Sequence, residues 1–272
     1  MCPRGARMLA GEGGLLATTK LVCHCLLIEG GDGLVLIDTG FGRADTANPR
    51  QLGRVFTALV RPQVNAAETA ISQLTALGYQ ASDVRHIVTT HLDLDHAGGL
   101  PDFPEAQVHL LGRELDAAMS PGLRERARYL SVHWDHGPDW VRHDVGGDQW
   151  HGFASVRILP DSDEQILLVP LPGHTLGHTG VALRSGDRWL LHCGDAYFHH
   201  AEVLTPPHCP PGLRAFEAVN QVDGAARREN LERLRELAQR DGDEVELLCS
   251  HDAATLERYR AAGDDLSAVT PD

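Results

Sequence analysis

One run, Ile87-Val-Thr-Thr-His-Leu-Asp-Leu-Asp-His-Ala-Gly-Gly-Leu100, constrains this chain more than any other. Its first four residues are apolar or β-branched and read as a strand. The next six carry His91, Asp93, Asp95 and His96, and Gly98-Gly99 let the backbone turn tightly behind them. Four side chains able to bind a metal through imidazole nitrogen or carboxylate oxygen are thus aimed from a loop at a strand's end. A solvated acidic turn has no need of two histidines interleaved with two aspartates just past a buried strand.

Later stretches repeat the arrangement. Pro172-Gly-His174-Thr-Leu-Gly-His178-Thr-Gly180 follows the apolar run Ile166–Val169, while Leu190–Asp195 and Leu247–His251 each end an apolar run in a ligand-capable residue. The whole pattern resembles the metallo-β-lactamase-fold hydrolases, whose signature is His-x-His-x-Asp-His, then Gly-His-Thr-x-Gly-His, then Gly-Asp and a last His. The likeness extends from Asp38-Thr39-Gly40 to His251 and is nearest to acyl-homoserine-lactone lactonase-like members. It implies an αββα sandwich, two mixed sheets face to face with helices outside, and metals in loops along one edge. It also implies one metal site from His91, Asp93 and His174, a second from Asp95, His96 and His251, and Asp195 bridging two divalent ions, Zn²⁺, Mn²⁺ or Fe²⁺. Asp93 stands where the family usually has its second His. With three carboxylates and one bridging hydroxide against two divalent cations, the site is expected to be close to neutral. It should then be a weaker Lewis acid than usual, suited to harder ions such as Mn²⁺ or Fe²⁺, with Zn²⁺ still open.

The resemblance further implies a hydrolase in which a metal-bridging hydroxide attacks the carbonyl of a small lactone or carboxylic ester. Asp95 would take up a proton in passing, and Tyr197 is the candidate donor to a developing oxyanion. The alternatives are a thioester, phosphodiester or β-lactam substrate, or a redox di-iron protein of the same fold. Flavodiiron-type relatives carry a carboxylate where Asp93 stands, but usually continue into a flavin-binding module, and glyoxalase-II-like thioesterases carry a helical domain after the last His; this chain ends at 272, a short way past His251. The loop Asp38–Gly42 is placed beside the metals to orient ligands, and His178 is read as a supporting partner rather than a ligand.

Charge and composition narrow the partners. Lys+Arg 24 against Asp+Glu 38 gives −14, with no basic footprint for phosphate, so nucleic acid is excluded as the main partner. No apolar run is long enough for a membrane span. A small-molecule substrate is expected, and self-association into a homodimer is left open. Six Cys could form disulfides, but the N-terminus lacks the apolar core of a signal peptide, so a reducing cytoplasm is expected. Cys193 and Cys249, each two residues before a ligand position, read as small buried strand residues.

The chain, 42% hydrophobic and without linker or repeat, reads as a single domain over 1–272, with residues 112–165 as a cap insertion over the metals. Three of the four Trp lie in that stretch, and His133, His136, His143 and His151 there could ligate an extra ion. Strands are expected within 15–29, at 34–37, 107–111 and 245–249. Helices are expected at 65–77, capped by Asn65 and Glu68 and stopped by Gly78, and at 113–119, 123–130, 224–240 and 253–260.

Overall fold

The computed structural model of the protein describes residues 1–262 apart from 12, 15, 124 and 160–164. The first half runs α1 (Ala6–Leu9), β1 (Leu26–Gly30), β2 (Gly33–Ile37), α2 (Arg43–Ala47), α3 (Arg54–Leu59), α4 (Ala70–Ala76), β3 (Val84–Val88), α5 (Leu94–Ala97), β4 (Gln107–Leu111) and α6 (Gly112–Met119). It continues with β5 (Asp139–His143), β6 (Asp148–Trp150), β7 (Phe153–Arg157), β8 (Ile166–Pro170), β9 (Thr179–Ser185), β10 (Arg188–His192), α7 (Pro211–Asn220), α8 (Gly224–Asp241), β11 (Val245–Leu248) and α9 (Ala253–Ala262). These make two mixed sheets. One has the order β1-β2-β3-β4-β5, with β2 to β5 parallel, and the other β11-β10-β9-β8-β7-β6, antiparallel except for β11 on β10.

Strand alternation builds three apolar layers. Val35 and Ile37 of β2 and Val88 of β3 meet Ile166 and Leu168 of β8 and Val181 of β9 between the sheets. The intervening residues of the same strands, Leu34, Leu36 and Ile87, face outward onto Ile71 and Leu74 of α4 and Leu115 of α6. On the far side, Ala182, Leu191 and Val245 pack under Leu231, Leu234 and Leu237 of α8. Helices therefore cover both outer faces, and the αββα arrangement is the observed one.

Several local expectations need correction. The expected helix 65–77 is split: Asn65 caps only the 3₁₀ turn Ala66–Glu68, and Thr69 restarts the chain as α4 by accepting from Ser72 N. Among the described residues, 123–130 yields only a 3₁₀ turn, Glu125–Ala127, and 15–29 only the regular strand Leu26–Gly30. The described part of 112–165 holds α6 and three strands joined by irregular chain. It supplies β5 to the first sheet and β6 and β7 to the second, and its Trp residues pack as structure: Trp134 and Trp140 on the α4/α6 layer, Trp150 against Trp189 at 5.6 Å. What runs toward the metal-ligand loops from this stretch is the segment between α6 and β5, which carries Arg128.

Candidate metal centre

Loops at the ends of β2, β3, β8, β10 and β11 converge on one point. At the end of β2, Asp38 adopts a left-handed backbone at φ +53°, a conformation Asp tolerates better than most residues. It accepts from Thr90 N at 2.8 Å and from Thr90 Oγ1 at 2.8 Å, and lies 2.9 Å from His96 Nδ1. Because the Thr90 hydroxyl gives its proton to Asp38, it must accept from His91 Nδ1, 2.9 Å away. Nδ1 is thereby the outward donor in both imidazoles, and Nε2 is the atom aimed inward. His251 is held in the same sense by Nδ1 on Val22 O at 2.6 Å.

The inward atoms meet at Asp195. Its Oδ2 is 3.3 Å from His174 Nε2 and 3.9 Å from His91 Nε2, while its Oδ1 is 3.3 Å from His96 Nε2 and 3.1 Å from His251 Nε2. His251 Nε2 is also 3.1 Å from Oδ2, so Asp195 lies among all four imidazoles, with His91 and His174 on Oδ2, His96 on Oδ1 and His251 within reach of both oxygens. Asp93 Oδ2 lies 3.0 Å from His174 Nε2 and 3.5 Å from His91 Nε2; Asp95 Oδ2 lies 3.7 Å from His251 Nε2. His91 Nε2, His96 Nε2 and Asp195 Oδ1 are buried without a hydrogen-bond partner. A protein core seldom leaves such groups unpaired, and these have the donor types and spacing that divalent ions need, so the residues fit a pair of ions. Burial pushes the His174 imidazole down to about 4 despite Asp195 beside it, whereas for His96 and His251 burial is outweighed by the Asp195 carboxylate, which holds both well above the usual range.

His178 is no ligand: its Nδ1 donates to Leu171 O at 2.9 Å and its Nε2 accepts from Asp195 N at 2.9 Å, so it anchors the backbone of Asp195. Tyr197 is not at the centre. It is 1% exposed within the layer under α8, beside Cys193, Cys249 and Glu202, so it cannot reach an oxyanion there. A turn through Gly194 at φ +53° aims Asp195 inward and sends residue 197 to the core. The ring facing the ligands from this loop is Phe198, stacked on His251 at 4.9 Å. Cys193 and Cys249 are buried core residues. The four histidines of 112–165 do not gather: His133 pairs with Asp45 at 3.0 Å, His143 with His109 at 3.0 Å and His151 with Asp241 at 2.7 Å, while His136 belongs to no ligand cluster among the described residues.

Three contributors were not legible in advance. Glu114 of α6, fully buried, accepts from Leu92 N at 3.0 Å and Tyr129 OH at 3.0 Å with one oxygen, and from Thr175 Oγ1 at 2.7 Å and Gly177 N at 3.1 Å with the other. It ties the loop of His91 to the loop of His174. A Cβ at Gly177 would come within 2.2 Å of Glu114 N, which explains the glycine. The available sign was an acid on the same helix face as Ala118. Cys23, half-buried, places Sγ 3.9 Å from Asp95 Oδ2. Arg128, in a segment expected as a helix and found in an irregular turn, sets Nη2 2.8 Å from Asp93 Oδ2. Burial would raise the Asp93 carboxyl, but this guanidinium and His91 hold it well below the usual range.

The profile of the Metallo-beta-lactamase superfamily matches residues 18–251. A "probable metallo-hydrolase" of Mycobacterium tuberculosis is 46% identical over 245 residues, covering 90% of this chain and 78% of that protein. N-acyl homoserine lactonase AttM of Rhizobium johnstonii is 27% identical over 242 residues, covering 87% and 84%. Among solved structures, a mutant of B. thuringiensis AiiA with N-decanoyl-L-homoserine bound at its active site superposes with a TM-score of 0.69 at 19% identity, covering 94% of this chain and 91% of that one. With the profile matched from the first loop to the last ligand position on this fold, the chain belongs to the metallo-β-lactamase superfamily and is a metallo-hydrolase.

Proposed function

We propose that this protein hydrolyses a lactone or carboxylic ester of a small molecule at a centre of two divalent ions. The observation that carries the reading is Asp195, a buried carboxylate with His91 and His174 on one oxygen, His96 on the other and His251 at 3.1 Å from both. His91, Asp93 and His174 would hold one ion, Asp95, His96 and His251 the other, with Asp195 shared. When bound, such ions supply a polarised carbonyl and a water acidified toward neutral pH. The chain's own residues do the rest. Asp38 and Thr90 hold the His91 and His96 rings with Nε2 inward, His178 fixes the backbone of the shared aspartate, and Phe198 covers His251 against water. Asp95, nearest to solvent among the ligand carboxylates at 9% exposure, is the group placed to accept a proton during turnover.

The lactone is favoured by the relatives: AttM is named an N-acyl homoserine lactonase, and the AiiA structure carries an acyl-homoserine at its active site. Metal-loaded protein assayed against lactones, esters, thioesters and phosphodiesters should open a lactone or cleave an ester fastest. The activity should be lost on chelation and regained with Zn²⁺, Mn²⁺ or Fe²⁺. Turnover confined to phosphodiesters, or lactone opening indifferent to chelators, would refute the reading.

A further inference from the structure

The carboxylate at position 93 comes with a cation of its own. Arg128 Nη2 lies 2.8 Å from Asp93 Oδ2 and 3.0 Å from His174 Nε2, the two atoms that the first metal site would use. The guanidinium is also tied to the backbone, through Nη1 to His174 O at 3.0 Å and Nη2 to Asn220 O at 3.0 Å, and its side chain is only 15% exposed. Two carbonyls therefore keep it in place whatever Asp93 does. In the Nδ1–H tautomer that a metal ligand needs, His174 Nε2 has a single lone pair, which can accept a hydrogen bond from Arg128 or bind an ion, but not both. Nothing comparable faces the second site: among the described residues, no Arg or Lys pairs with Asp95 or Asp195.

We propose that Arg128 is a resident counter-cation of the first site: it neutralises Asp93 while the site is empty and must be displaced from His174 before an ion can bind there. The centre then loads in order, the site of Asp95, His96 and His251 first and the site of His91, Asp93 and His174 second and more weakly. The pair Asp93⁻/Arg128⁺ is also net neutral, as the usual histidine would be, so the excess negative charge expected from Asp93 is cancelled within about one hydrogen bond's length. Hardness of the preferred ion then depends on ligand chemistry and not on charge. This inference rests on the metal-centre reading above.

The test is titration of metal-free protein with Zn²⁺ against a chromophoric chelator, with melting of the metal-free protein measured alongside. The parent should take two ions in two separated steps. Arg128→Gln should tighten the weaker step by about tenfold or more, the order of effect seen for residues bonded to metal ligands, leave the tighter step unchanged, and lower the Tm of the metal-free protein. Asp93→His alone strands the guanidinium and should weaken the first site, whereas Asp93→His/Arg128→Gln should bind there more tightly than either single variant. A folded Arg128→Gln whose weaker step is unchanged or weaker, or a parent with two equal steps, overturns the role of Arg128 while leaving the metal centre standing. A parent that takes up no ion overturns the metal reading and this proposal together.

Discussion

Glu114 shows how much of the centre depends on a residue that would touch no ion. Its two oxygens satisfy two backbone N–H groups, Leu92 N and Gly177 N, in loops that approach from different sheets. Glu114→Gln must turn an amide NH₂ toward one of them; the hydroxyls of Tyr129 and Thr175 can rotate to adapt, but a backbone N–H cannot. One buried donor is left unpaired, at a cost of about 1–3 kcal/mol. Denaturant unfolding of the metal-free variant should show that loss, together with weaker metal binding as the two loops drift apart. A variant as stable as the parent would mean that the loops are held by their packing alone. At this scale the sequence was informative about ligands and about the supports that share their motifs, Asp38 and His178, but silent about Glu114, Arg128 and Cys23. His91, Asp95, His96, His174, Asp195 and His251 stand in short motifs at strand ends, whereas Arg128 and Cys23 reach the centre from irregular chain where a helix and a strand were expected. Tyr197 was misplaced because a single glycine turn decides which side of the chain residue 197 faces.

Elements were legible where alternation was clean and obscure where it was not. The strands β2 and β8 read directly from runs of Val, Ile and Leu and β11 from Val245–Cys249, whereas β3 was legible only at its end, Ile87-Val88. β5 and β6 are edge strands, half-buried and rich in Asp, His and Trp, so their period of two is masked, and the stretch resembled an excursion. α7, which begins at Pro211, gave no advance sign beyond its proline. It carries a buried group with a measurable consequence. Burial, and Glu202 beside it, push the Glu217 carboxyl up from 4.5 to about 9, with Arg227 Nη2 at 3.4 Å only partly offsetting them. Between those two pH values the folded chain keeps a proton that the unfolded chain has released, so this group makes stability fall as pH rises. Glu217→Gln, which cannot ionise, should flatten the fall in unfolding free energy between about pH 5 and 9. Parallel pH profiles for variant and parent would show that Glu217 is not held protonated.

In the molecule as a whole, the ligand loops hang from both sheets: Asp38 and His91–His96 from the first, His174, Asp195 and His251 from the second. The fold class was readable because this division is written into the order of motifs along the chain. What the chain order could not convey was which side chains, among many histidines and carboxylates, would find other partners. No helix among the described residues is long and apolar enough to cross a membrane. Because bound ions would join the sheets, removing them should destabilise the entire fold. Free metal at about 1,000 times its Kd adds about 4 kcal/mol per ion, so chelation should lower the Tm in one cooperative step. Melting that ignores chelator would argue that the ligands are already held without metal. The central claim is a two-ion centre that hydrolyses a lactone or ester, and its most direct measurement is hydrolysis followed while metal-free protein is loaded, with ions per chain counted at each point. The account predicts no turnover without metal and full turnover as loading approaches two ions per chain. Full turnover by metal-free protein, or a fully loaded protein inert toward every lactone and ester tried, would contradict it.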